Sequence, residues 1–215
     1  MSFKYILYEE KGSIGWITLN RPDDANMFNE TMCHEIRDCI NEVRRETRTR
    51  VLVITGAGEK FFSAGADLNI FADGDANKAR DMAQFFGEGF ETLADFRGVS
   101  IAAINGFAMG GGLEVALACD IRIAESQAQM GLPEAKVGLL PCAGGTQRLS
   151  WLVGEGWAKK MILCGERLKA DTAKEIGLVE EVVNPGESLN RAMALAEQAG
   201  EQSPISVSSC KDLIH

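Results

Sequence analysis

Histidine is almost absent from this chain of 215 residues; only His34 and His215 occur. A serine–histidine–aspartate triad or a histidine-built zinc site therefore has little to be made from. None of the six cysteines, Cys33, Cys39, Cys119, Cys142, Cys164 and Cys210, stands in C-x-x-C spacing, which removes the common metal and redox motifs. Most have apolar neighbours and read as reduced, buried thiols, so neither a metal nor a separate cofactor is expected. No apolar run is long enough for a membrane span, and Met1-Ser2-Phe3-Lys4-Tyr5 has no signal-peptide core. The expectation is a cytoplasmic protein without a membrane partner. Basic runs are missing as well. With 22 Lys and Arg against 31 Asp and Glu the net charge is −9, which argues against a nucleic-acid partner. Gly56-Ala57-Gly58 lacks the third glycine of a dinucleotide fingerprint, and Lys60 lacks the preceding glycine of a P-loop.

What is present is apolar bulk and alternation. The chain is 46% hydrophobic, enough for a sizeable core in one domain, or one domain with an appendage. Residues 5–10 and 14–19 read as a hairpin closed by Lys11-Gly12-Ser13. Met32, Ile36, Ile40 and Val43 recur at helical spacing and predict a helix over 30–47. Val51 to Thr55 is a continuous apolar run, the pattern of a strand buried on both faces. A helix over 76–96, a strand over 99–104, a strand over 120–124, helices over 155–164 and 170–176, a strand over 178–183 and a helix around 189–196 follow. Ser203-Pro204 opens one more helix close to the end of the chain. Strands alternating with helices predict an α/β fold with crossovers and largely parallel sheet.

The stretch around which the rest is arranged is Ala103 to Glu114. It reads as a buried strand, a turn with Gly110, Gly111 and Gly112 in succession, and a helix start. Three glycines let a ligand approach the backbone closely. Unpaired amides at a helix start suit an anion or an oxygen that becomes negative during reaction. Glu114 lies about one turn further on. The same glycines also suit an ordinary strand-to-helix turn. Phe62 to Leu68 is a second small-residue loop, and Leu132-Pro133-Glu134 opens a third.

Four segments carry a resemblance: Asn20-Arg21-Pro22 with Asn26; Phe62 to Asp67; Ala103 to Ala108 with Gly110 to Glu114; and Pro133-Glu134 with Gly138 to Pro141 and Gly144 to Leu149. Gly177-Leu178-Val179 within 170–182 adds a fifth. In this order they resemble the crotonase superfamily, the enoyl-CoA hydratase/isomerase family, over essentially the whole chain. The resemblance implies a spiral of ββα units forming two roughly perpendicular sheets ringed by helices. It also implies homotrimers, often paired into hexamers, and an acyl-CoA thioester substrate, coenzyme A being part of the substrate rather than a cofactor.

By the same resemblance the amides of Ala66 and Gly111 form an oxyanion hole, and Glu114 and Glu134 are the catalytic carboxylates. Asn26, Ala64, Gly65, Asp67, Leu68, Gly110 and Pro133 would touch the substrate or its coenzyme A portion. Residues 69–90 would shape the acyl pocket; Phe71, Phe85, Phe86 and Phe90 fit either an apolar acyl site or plain core packing. Both glutamates together favour enoyl-CoA hydratase activity, addition of water to a 2-enoyl-CoA in fatty-acid or related acyl-CoA degradation. An isomerase or a specialised hydratase is the nearest alternative. A non-catalytic coenzyme A-binding or interaction subunit is the alternative of another class. Two departures stand out. Val99 occupies a position usually held by proline in the family. The chain also stops at His215, where family members continue with further helices, so 1–200 reads as the core domain and 201–215 as the start of a truncated helical region.

Overall fold

The computed structural model describes residues 2–46, 48–71 and 74–214, except for the side chains of Phe71 and Ala76. The expectations for Phe71 in an acyl pocket and for Thr47 at a helix end lie outside what is described.

The larger sheet has six strands: β1 (Ile6–Lys11), β2 (Ile14–Leu19), β3 (Val51–Gly56), β5 (Val99–Ile104), β7 (Ile121–Glu125) and β10 (Glu181–Val183), in spatial order β1-β2-β3-β5-β7-β10. The β1–β2 hairpin is antiparallel and all other neighbours are parallel. Alternate residues of its central strands enter different cores. Leu52, Ile54, Ala102 and Ile104 pack under the helices α1 (Glu30–Glu46) and α2 (Ala76–Ala94). Val51, Val53, Ile101 and Ala103 pack on Ala192 and Ala196 of α6 (Ser188–Gly200). Burial on both faces is why these strands read as unbroken apolar runs.

The smaller sheet is made of β4 (Phe61–Ser63), β6 (Phe107–Met109), β8 (Gln129–Gly131) and β9 (Leu168–Lys169), in that order. Along the chain each long strand is followed by a short one: β3 by β4, β5 by β6, β7 by β8. Helices return the chain to the larger sheet, α2 before β5 and α3 (Gly111–Leu117) before β7. This is the ββα spiral with two sheets and surrounding helices. None of the four short strands was read from the residues, because runs of two or three residues carry no periodicity.

Two expectations shift, one for a helix and one for a strand. The helix predicted over 155–164 is the second half of α4 (Gly145–Leu163), which breaks at Gly154 (φ 76°, ψ 161°). Thr146, Gln147 and Arg148 in its first turn hide the amphipathic signal. The strand predicted over 178–183 is confined to β10, because the Leu178 and Val179 amides turn back to the Ala173 carbonyl at the end of α5 (Ala170–Glu175). The thiols divide evenly, unlike the mostly buried set expected: Cys33, Cys39 and Cys119 are buried, and Cys142, Cys164 and Cys210 exposed. The terminal helix α7 (Pro204–Ile214) is held by Lys211, whose Nζ donates to the Phe96 and Gly98 carbonyls and pairs with Asp120. No helix among the described residues is long and apolar enough to cross a membrane.

Candidate active site

The pairing of β4 with β6 aligns Phe61 with Phe107 and Ser63 with Ala108. The segments that follow, Ala64–Ala66 and Gly110–Gly112, are thereby carried side by side. They touch so closely that only glycine fits. A Cβ on Gly65 (φ +94°) would stand 2.6 Å from the Met109 carbonyl oxygen and 3.2 Å from the Gly111 nitrogen. One on Gly112 would stand 2.3 Å from the Ser63 carbonyl oxygen.

Ala66 forms a parallel bridge with Phe28. The Phe28 amide donates to the Gly65 carbonyl at 2.8 Å and the Asp67 amide donates to the Phe28 carbonyl at 3.0 Å. In such a bridge the central residue's own amide faces the opposite side. Gly111 is the first residue of α3, so its amide has no acceptor within the helix. Neither amide donates a hydrogen bond among the described residues.

Glu114 lies on α3 and is 2% exposed. Its Oε1 accepts from the Ala143 amide at 2.8 Å and the Gly145 amide at 2.9 Å. Burial pushes its carboxyl above the usual range; the two amides and the charge of Arg148 oppose that rise. Gly145 must be glycine, since a Cβ there would lie 2.8 Å from Oε1.

Glu134 begins a 3-10 turn, Glu134–Val137, for which Pro133 is the N-cap residue. Its Oε2 is buried and has no partner. Its Oε1 would be 3.1 Å from a Cβ on Gly110, which puts the carboxyl over the glycine turn. Burial, and then the negative charge of Glu114, raise it from 4.5 to about 7. The Glu114 charge is felt at Glu134, so the protonation of one carboxyl depends on that of the other.

The other expected residues fall in two groups. Gly65, Gly110, Gly111 and Ala66 form the touching loops. Leu68, half exposed at the start of the 3-10 turn Leu68–Phe71, lies at the end of the same segment. Asp67 accepts from Asn69 and lies 3.9 Å from the Arg21 guanidinium. Ala64 donates its amide to the Ala25 carbonyl. Asn26 is different: it is fully buried, and every polar atom is in use. Its side chain accepts from the Arg21 amide and donates to the Ala57 and Phe61 carbonyls, and its carbonyl accepts from the Ser63 hydroxyl. It therefore ties the loop together through its side chain. Phe86 and Phe90 form an edge-to-face group with Phe28 and are core residues, with the Phe86 ring lying against Gly111. Phe85 stacks edge-on with His34.

Sequence reasoning gave no role to Ala143, Gly145 or Arg148, although Gly145 and Arg148 lie in the segment Gly144 to Leu149 that carries the resemblance. Two clefts of about 380 and 470 Å³ lie elsewhere, beside Phe3 and Tyr8 and beside Asn105 and Glu125. The buried Glu125 of the second is satisfied by Ser188 and Gln127.

Residues 9–215 match the profile of the enoyl-CoA hydratase/isomerase family. The chain belongs to this family. Across its full length it is 39% identical to the short-chain-enoyl-CoA hydratase of Clostridium acetobutylicum, covering 82% of that protein. It is 39% identical over 196 residues to the crotonyl-CoA hydratase of Syntrophomonas wolfei, with 91% of this chain and 75% of that protein covered. The solved structure of Pseudomonas aeruginosa DspI superposes over 100% of this chain and 82% of its own, with a TM-score of 0.97 and 59% identity.

Proposed function

We propose that this member of the family is an enoyl-CoA hydratase, adding water across the double bond of a 2-enoyl-CoA thioester to give the 3-hydroxyacyl-CoA. The observation that carries the reading is the pair of unlike carboxyls. Glu114 has one oxygen fixed by two amides and the other free to take a proton from water. Glu134, raised to about 7, keeps its proton into the neutral range and can give it. The water oxygen bonds to the β-carbon, the C=C pair moves toward the thioester carbonyl, and the Glu134 proton goes to the α-carbon. The proton taken by Glu114 returns to Glu134 before the next turnover. As negative charge builds on the thioester oxygen, the free amides of Ala66 and Gly111 receive it; removing one such donor typically costs about 3 kcal/mol of barrier.

Moving a double bond without water needs a single base that removes and returns a proton. A second carboxylate with its own two-amide cradle is superfluous there, which favours hydration over isomerisation. The reading extends to a homotrimer or paired trimers, supported by the exposed apolar side chains of Trp151, Leu163, Ile205, Leu213 and Ile214. It also extends to the cytoplasm, a compartment in which six free cysteines keep. The test is loss of the enoyl-thioester absorbance of crotonyl-CoA, for the unmutated chain and for Glu114→Gln and Glu134→Gln. Rapid loss that either substitution abolishes is the expected result. Turnover that survives Glu114→Gln would overturn it.

A further inference from the structure

Arg148 stands one turn into α4 and touches the same strap, Ala143-Gly144-Gly145, that holds Glu114. Its side chain is 15% exposed, and its two terminal nitrogens hold different parts of the molecule. Nη2 pairs with Glu91 of α2 at 2.9 Å, and Nη1 donates to the Ala143 carbonyl at 3.1 Å. The guanidinium reaches the strap through Nη1, since a Cβ on Gly144 would stand 2.1 Å from that atom. The Arg148 amide also donates to the Gly144 carbonyl at 2.9 Å. Ala143 is thus gripped at both ends, its carbonyl by Arg148 and its amide by Glu114. The charged and titratable groups that act on or respond to Glu114 are Arg148 from α4, Glu134 from its 3-10 turn and the Cys142 thiol beside the strap. Arg148 is the cation in that set.

We propose that Arg148 is the positioning residue for Glu114: braced on Glu91, it fixes the strap whose two amides hold one carboxylate oxygen. An uncharged side chain there would leave the Ala143–Gly145 amides free to drift and Glu114 facing only another carboxyl and a thiol. A lysine would restore the charge but cannot span Glu91 and the Ala143 carbonyl with the planar, two-pronged geometry of a guanidinium.

Its effect on turnover rests on the hydratase reading; its effect on Glu114 does not. The experiment therefore reads both, on the full chain, with Arg148→Met, Arg148→Lys and Glu91→Gln. The Glu114 carboxyl is titrated by NMR with carboxyl-labelled glutamate, its signal assigned through Glu114→Gln, and crotonyl-CoA hydration is followed against pH. Arg148→Met is expected to move the Glu114 titration and the acid limb of kcat to higher pH. It should lower kcat about 10- to 100-fold, the cost of a misplaced catalytic group, with KM little changed. Arg148→Lys should return the titration toward the unmutated position while recovering only part of kcat, and Glu91→Gln should give the smallest loss. An unmoved Glu114 titration in both Arg148 variants, with turnover falling only as the folded fraction falls, would overturn the proposal. A moved titration in a chain that never hydrates crotonyl-CoA would keep the positioning role and remove the hydratase reading.

Discussion

Glu114 sits on a helix in the body of the protein, with one oxygen committed to two amides, while Glu134 sits on a single 3-10 turn with a buried oxygen that nothing meets. Both are lifted by burial. The amides and Arg148 offset much of that at Glu114, and Glu134 has no comparable help from outside its own backbone. The lesson is that a base and an acid can be made from the same side chain by deciding which one receives donors.

The largest test of that contrast removes each carboxylate in turn. Glu114→Gln and Glu134→Gln should each lower kcat about 10²- to 10⁴-fold, the usual worth of one acid–base group, in the crotonyl-CoA assay. Equal activity in either variant would erase the distinction. Next in size is Gly145→Ala, whose methyl would displace the Glu114 carboxyl. A loss of about 10- to 100-fold in kcat is expected, and because the Glu114 charge acts on Glu134, the Glu134 titration should move with it by NMR.

The third test concerns stability. The folded protein holds a proton on Glu134 that the unfolded chain releases between 4.5 and about 7. Stability from this group is therefore present below 4.5 and is lost as pH rises through 7. Glu134→Gln should be more stable than the unmutated chain at pH 8 by about 1–3 kcal/mol, and little different at pH 4, by urea unfolding. A Gln variant less stable at pH 8 would count against an unsupported Glu134. The smallest effect is expected for Gly138→Ala, at the left-handed residue closing the Glu134 turn (φ 74°) with open space around it. It should cost about 1 kcal/mol in stability and leave kcat within a few-fold.

The parts legible in the sequence were those whose side chains answer to one long-range environment. Val51–Gly56 and Val99–Ile104 are buried on both faces, and α1 places Met32, Ile36, Ile40 and Val43 on one buried stripe, so composition and spacing announced them. The glycine run at 110–112 and the glutamate after it were visible as a candidate site. Phe61–Ser63 and Gln129–Gly131 were not legible as strands, because three residues pair through their backbones and leave no pattern. The resemblance to a family supplied the two-sheet spiral and the pairing of Glu114 with Glu134. The Asn26 latch and the Arg148 brace depend on carbonyls brought in from distant segments, so only coordinates could show them.

The match of Ser63 with Ala108 sets a gauge for the chemistry. Ala66 lies three residues beyond the first and Gly111 three beyond the second, and the two segments touch there, a Cβ on Gly65 standing 3.2 Å from the Gly111 nitrogen. Two donors on touching segments can be brought to bear on one oxygen at ordinary hydrogen-bond length. On the proposed reading, the placement of the two oxyanion donors is thus set by the pairing of β4 with β6. Loops between the strands of the smaller sheet can lengthen without altering it, whereas a slip of one residue between β4 and β6 would leave the two amides aimed at different points.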